Sequence, residues 1–198
     1  PSEDGSTPDN DPRDFNGHGT HCAGNVSAMN NNGGGVCAVT GGWGNGSQQA
    51  SGNGVKVMAM RIGYQNFFGQ GLVAMDAAAE ALIYAADNGA RIASCSWGSS
   101  NSGGMEAAAD YFIANGGIIF HAAGNDGNDD PDYLDERGDC ISVAATDSND
   151  TKADFSNFGA WVDISAPGTV IWSTYHNYED EENDYIAGVG GTSMATPI

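Results

Sequence analysis

Gly117-Ile118-Ile119-Phe120-His121-Ala122-Ala123-Gly124-Asn125 runs from an apolar stretch through small residues into a polar turn. A short apolar run that stops at Gly and Asn reads as a buried strand. Working outward, Met105–Asn115 reads as a helix and Ala90–Ser96 as a strand. Before them, Leu72–Asn88 carries apolar residues at Leu72, Met75, Ala79, Leu82, Ile83 and Ala86, which is helical spacing, and Gly89 ends it. Gly54–Ile62 reads as a further strand, and Cys140–Ala145 and Val162–Ala166 as two more after the opening stretch. This alternation predicts an α/β fold, a mostly parallel central sheet flanked on both faces by helices. Sites in such sheets gather at the carboxyl ends of strands. Asn125 and the segment Ser96-Trp97-Gly98 both follow such ends.

Three segments carry candidate chemistry. Ser193 lies in Gly190-Gly191-Thr192-Ser193-Met194-Ala195-Thr196-Pro197-Ile198, a Gly-rich turn entering an apolar helix start. The dipole and free amides of a helix N-terminus favour negative charge developing near such a hydroxyl, although a serine there also serves as a plain cap. His18 sits between glycines at the start of a small-residue helix, Thr20–Ala28, and suits a general base. His18, His21 and Cys22 also leave open a zinc site, without the expected carboxylate base. Asn125, at a strand end, can donate to an oxyanion or simply turn the chain.

Together these segments resemble the subtilisin-like serine proteases, the subtilases. His18-Gly19-Thr20-His21-Cys22-Ala23-Gly24 is similar to the family's histidine motif. Gly191-Thr192-Ser193-Met194-Ala195-Thr196-Pro197 is similar to its serine motif, and Ala122-Ala123-Gly124-Asn125 to its oxyanion segment, in the family's order. The resemblance implies a subtilisin-like three-layer fold and a serine endopeptidase. Ser193 would be the nucleophile, His18 the base and Asn125 the oxyanion donor, acting on protein or peptide substrates. It also implies substrate-binding walls at Ser96, Trp97, Gly98 and at Ala122, Ala123, Gly124. Both segments are small and uncharged near the pocket, so a large apolar side chain is expected before the scissile bond. No cofactor is implied for the chemistry. Structural calcium is implied at Asn30-Asn31-Asn32-Gly33-Gly34-Gly35, a carbonyl-rich loop without a carboxylate.

The family's triad aspartate ends a buried strand upstream of the histidine. Asp4, Asp9, Asp11 and Asp14 precede His18, and none follows an apolar run. The expectation is therefore a single partial catalytic domain over residues 1–198, truncated at both ends, with the aspartate outside it. The competing reading is a subtilase-fold binding or structural module without activity.

The 26 acids against 6 bases give a net charge of −20, which argues against nucleic acid and anionic membranes as partners. No run of 18 apolar residues or signal-peptide pattern is present. A monomeric, extracellular enzyme is expected. Acids concentrate in Asp126–Asp139 and Glu179–Asp184, read first as solvated loops. The four cysteines, Cys22, Cys37, Cys95 and Cys140, are expected to be mostly free thiols, with Cys22 one helical turn from His18.

Overall fold

The computed structural model describes residues 11–47, 52–66, 68, 70–176 and 186–198. In chain order these form α1 (His18–Ser27), β1 (Gly63–Gln65), β2 (Gly71–Val73), α2 (Met75–Asp87), β3 (Ile92–Cys95), α3 (Met105–Ala114), β4 (Ile118–Ala122), β5 (Ile141–Thr146), β6 (Ile164–Pro167), β7 (Ile171–Thr174), β8 (Ile186–Val189) and α4 (Thr192–Ala195). β3, β4, β5 and β6 lie side by side in that order as a parallel sheet. β1–β2 and β7–β8 are separate antiparallel pairs.

Side-chain alternation along β4 builds two cores, because successive residues of a strand face opposite sides of the sheet. Ile119 packs with α2 and α3, whose buried residues Ala78, Ala79, Leu82 and Met105, Ala108, Ala109, Phe112 recur at helical spacing. The alanines let both helices approach closely. On the other face Phe120 packs with Val143, Ala145, Ala153 and Ala195, the last from α4. α1 rests against β7, and the contact depends on Gly24: any side chain there would collide with Ser173 and Thr174. The fold is thus the expected α/β arrangement, with a four-stranded parallel sheet between helices.

One expected strand is not formed. Residues 54–62 join no ladder; Val55, Val57 and Met58 are exposed, and β3 is the sheet's outer strand among the described residues. An extended apolar segment becomes a strand only when a neighbour accepts its backbone hydrogen bonds. Leu72, expected at the head of a helix, instead pairs with Tyr64 in β1–β2.

Candidate active site

Ser193 is the second residue of α4 and remains half-buried at its N-terminus. Its hydroxyl donates to the Ser96 carbonyl at 3.2 Å, and its own carbonyl accepts from the Ser96 hydroxyl at 2.9 Å. The Cys22 thiol donates to that same carbonyl at 3.4 Å. The end of β3 and one turn of α1 therefore converge on the serine. As a first-turn residue, Ser193 has no intrahelical acceptor for its backbone N–H.

Asn125 reaches the same place from the end of β4. Its Oδ1 accepts from the Thr192 backbone N–H at 2.8 Å and from the Thr192 hydroxyl at 3.1 Å. The Thr192 hydroxyl also accepts from the Gly124 N–H at 3.2 Å. A backbone N–H can only donate, so the amide oxygen must face α4, which leaves Nδ2 on the opposite, exposed side. Gly124 permits the approach: its φ is 98°, and a β-carbon there would strike the Asn157 amide. Ala122 and Ala123 are buried beneath, and the Ala123 N–H donates to the Val143 carbonyl at 3.1 Å. Thr192, which holds Asn125 in place, was not singled out by the sequence; its position beside the serine was the only signal.

His18 opens α1, with Nδ1 at 4.0 Å from the Cys22 sulfur. Cys22 thus lies between His18 and the Ser193 carbonyl. His18 and Ser193 share one site, but the serine hydroxyl points to Ser96 rather than to the imidazole. Desolvation by the surrounding protein lowers the His18 pKa even though its edge remains open to solvent; Asp14 raises it in part, and His21 lowers it. A lowered value keeps the imidazole neutral, the state a base requires. Cys22 is desolvated, and its thiol is pushed up to about 11, so it stays protonated at neutral pH. All four cysteines are free.

The upstream acids have other partners. Asp14 accepts the backbone N–H groups of Asn16, Gly17 and Thr20 at 2.8, 2.9 and 2.8 Å, and the Thr20 hydroxyl at 2.8 Å. Burial alone would raise its pKa, but these bonds hold it below the ordinary carboxylate value. It secures the entry to α1. Asp11 pairs with Arg13 at 2.5 Å. Asp4 and Asp9 lie outside the described residues, as does the acidic run 179–184.

Neither the zinc nor the calcium reading finds a fitting set of its own residues. His21 is fully buried, with Nε2 at 3.0 Å from the carbonyls of both Ile171 and Ala187. Those bonds tie α1 to β7 and β8, and His21 does not converge with His18 and Cys22 on a cation. In the 30–35 loop, Asn30 Oδ1 accepts from the Ala38 N–H at 3.1 Å, and the Asn30 and Asn31 carbonyls accept from Gly44 and Gly46 at 2.8 Å each. Calcium favours carboxylates among six to eight oxygens. This loop has none, and Asn30 Oδ1 and the Asn30 and Asn31 carbonyls already serve to close it, so the loop by itself does not meet the ion's preference.

A further group was hidden in the acid-rich stretch. His121 is fully buried on β4, and its Nδ1 is 2.9 Å from Asp135 Oδ1. The buried Asp135 also accepts the Ser142 hydroxyl at 2.6 Å. The Trp97 ring stands edge-on to His121, with centroids 5.9 Å apart. Asp132 folds back onto the strand end, its Oδ2 accepting the Ser99 N–H at 2.9 Å.

Comparison with known proteins agrees with this architecture. Over 190 residues the chain is 37% identical to thermitase from Thermoactinomyces vulgaris, covering 96% of this chain and 60% of that protein. It is 36% identical to subtilisin BL from Lederbergia lenta over 93% of this chain and 61% of that protein. The crystal structure of a cold-adapted subtilisin-like serine proteinase superposes with a TM-score of 0.70 at 28% identity, covering 96% of this chain and 60% of that one. The chain therefore spans about three-fifths of the length of these relatives. The family model described as the subtilase family matches residues 1–198, and the chain belongs to that family.

Proposed function

We propose that the protein carrying this chain is a serine endopeptidase. The observation that carries the reading is the latch between Thr192 and Asn125, 2.8 Å from backbone N–H to amide oxygen. It leaves the Asn125 Nδ2 and the Ser193 N–H as the two donors for an oxyanion formed at the serine. Donors fixed in advance need no reorganisation as charge develops, and one of them contributes about 3–4 kcal/mol to a transition state.

In the proposed cycle, Ser193 Oγ leaves its bond to Ser96 and attacks the scissile carbonyl while His18 takes its proton. The oxyanion is held by Asn125 and the serine amide. His18 then protonates the leaving amine, and water repeats the sequence on the acyl-enzyme. The acid that orients His18 is assigned to a residue outside this chain: Asp14 is spent on the entry to α1 and Asp11 on Arg13, and neither Asp4 nor Asp9 follows an apolar run as the family's aspartate does. No cofactor takes part. Among the described residues no helix is long and apolar enough to cross a membrane. The proposed enzyme is monomeric and extracellular and acts on proteins or peptides; the strong negative charge is in keeping with a self-repelling monomer.

Casein hydrolysis by the protein, compared with its Ser193→Ala variant, tests the reading. The variant should lose on the order of 10⁶ in turnover, the loss seen when a subtilisin is deprived of its nucleophile. Hydrolysis that survives the substitution would overturn it, and a native protein that is folded but inert would favour a binding module.

A further inference from the structure

We propose that Asp132 makes this site select substrates with lysine or arginine immediately before the scissile bond. The inference rests on Ser193 being the nucleophile. It reverses the apolar preference expected from the two uncharged wall segments, because the charge comes from a third segment.

β3 and β4 are parallel neighbours, with Cys95 paired to His121. The chain leaves their carboxyl ends as Ser96–Ser99 and Ala123–Asn125, which both bond the start of α4, at Ser193 and Thr192 respectively, and the inferred substrate crevice lies between them. Ser96 marks the reacting end, through its carbonyl 3.2 Å from the Ser193 hydroxyl. Gly98 lies two residues further, at most about 7 Å along an extended chain. It is exposed and has no side chain to close the wall. Immediately behind it stands Asp132: a β-carbon on Gly98 would come within 3.0 Å of the carboxylate Oδ2. A carboxylate therefore borders the crevice beside Gly98, two residues beyond the Ser96 carbonyl that the nucleophile bonds.

The carboxylate is held in place. Ser99 N–H fixes Oδ2 at 2.9 Å, the Leu134 N–H donates to the Ser99 hydroxyl at 2.8 Å, and the Asp132 N–H donates to Asp135 at 3.3 Å. Asp135 is anchored in turn by Ser142 and His121.

Among the described residues, Arg137 serves Asp110 and Asp139, Lys152 donates to the carbonyls of Ala153 and Ser156, and no lysine or arginine pairs with Asp132. One ligating atom each from His121, Asp132 and Asp135 lies within 4.8 Å of the others, so two carboxylates crowd one histidine. Such a place attracts a cation. Lysine and arginine are the side chains that carry one at the end of a long stem.

The test is a set of fluorogenic peptides differing only in the residue before the scissile bond: Lys, Arg, acetyl-lysine, Phe, Leu and Glu. Competent enzyme is counted on the same sample with a fluorophosphonate. Lys and Arg should exceed Phe and acetyl-lysine in kcat/KM by roughly 10- to 100-fold, the range for a hydrogen bond to a charged group. In Asp132→Asn the Lys-to-Phe ratio should fall by the same factor. Acetyl-lysine keeps the stem without the charge, so that arm can overturn the inference in the wild type even if the variant fails to fold.

A titratable enzyme that prefers Phe or Leu would overturn the inference and leave the nucleophile standing. So would a basic preference that survives Asp132→Asn. A basic preference that appears only after chelation would also overturn it, because His121, Asp132 and Asp135 would then hold a metal ion. A sample that neither titrates nor cleaves any peptide would remove the reading of Ser193, and this inference with it.

Discussion

Two regions of this molecule have similar apolar content and opposite fates. Where β4, β5 and α4 meet, Val143, Ala145 and Ala195 are buried, and polar residues of the strand ends and helix turn are locked to one another. Along 55–62 and the outer side of β3, Val55, Val57 and Ile92 remain 55%, 44% and 65% exposed. The difference is backbone pairing. β4 has a paired strand on each side, whereas 54–62 joins no strand ladder among the described residues and makes only isolated backbone bonds, such as Val55 N–H to the Thr40 carbonyl. An apolar sequence states what can be buried; the neighbouring strand decides whether it is.

The contrast can be broken most forcefully from the packed side. Phe112 is fully buried between α3 and the sheet. Phe112→Ala should cost about 3–5 kcal/mol in denaturant unfolding, through lost burial and a residual cavity. A cost below about 1 kcal/mol would mean that this core is not the tightly packed one described. At the locked strand ends, Asn125→Leu keeps the bulk and removes the donor. Turnover should fall roughly 10²- to 10³-fold with KM little changed, because the lost interaction belongs to the transition state. An equal rise in KM would place Asn125 in ground-state binding instead.

Asp14→Ala should have a smaller effect, on stability, of about 1 kcal/mol near neutral pH, as expected for a lost helix-entry cap. The sign with pH follows from its lowered pKa. The folded state binds the proton less readily than the unfolded chain, so the contribution is fully present above the unfolded value of 3.8 and is lost as pH falls through the folded one. The gap between variant and wild type should therefore close in acid, and a gap that stays constant would assign the effect to packing. On the unpaired side, Val57→Ser should change stability by no more than about 0.5 kcal/mol, the range for exposed positions. A large loss there would show that 54–62 is paired in solution.

The sequence was most legible where local pattern and burial coincide. The spacing of Ala79 and Leu82 in α2, and the apolar run of β4, belong to elements packed on both sides, and their limits were found within a few residues. Residues 54–62 misled because a strand pattern contains no information about its partner. At the site, Ser193 and Asn125 stood out as types at strand and helix ends. Thr192 did not, because its role depends on two hydrogen bonds made across 67 and 68 residues of chain. Asp132 and Asp135 were obscured by their own neighbourhood. In an acid-rich loop nothing local separates the two carboxylates that fold back, onto Ser99 and His121, from those that face water.

The central claim is that the first turn of α4 presents one reactive serine beneath a prepared oxyanion site. A fluorophosphonate probe followed by peptide mapping tests it most directly. The account predicts a single adduct, on Ser193, formed much more slowly in Asn125→Leu. An adduct on any other residue, or labelling of Ser193 at an unchanged rate once Asn125 is replaced, would contradict it.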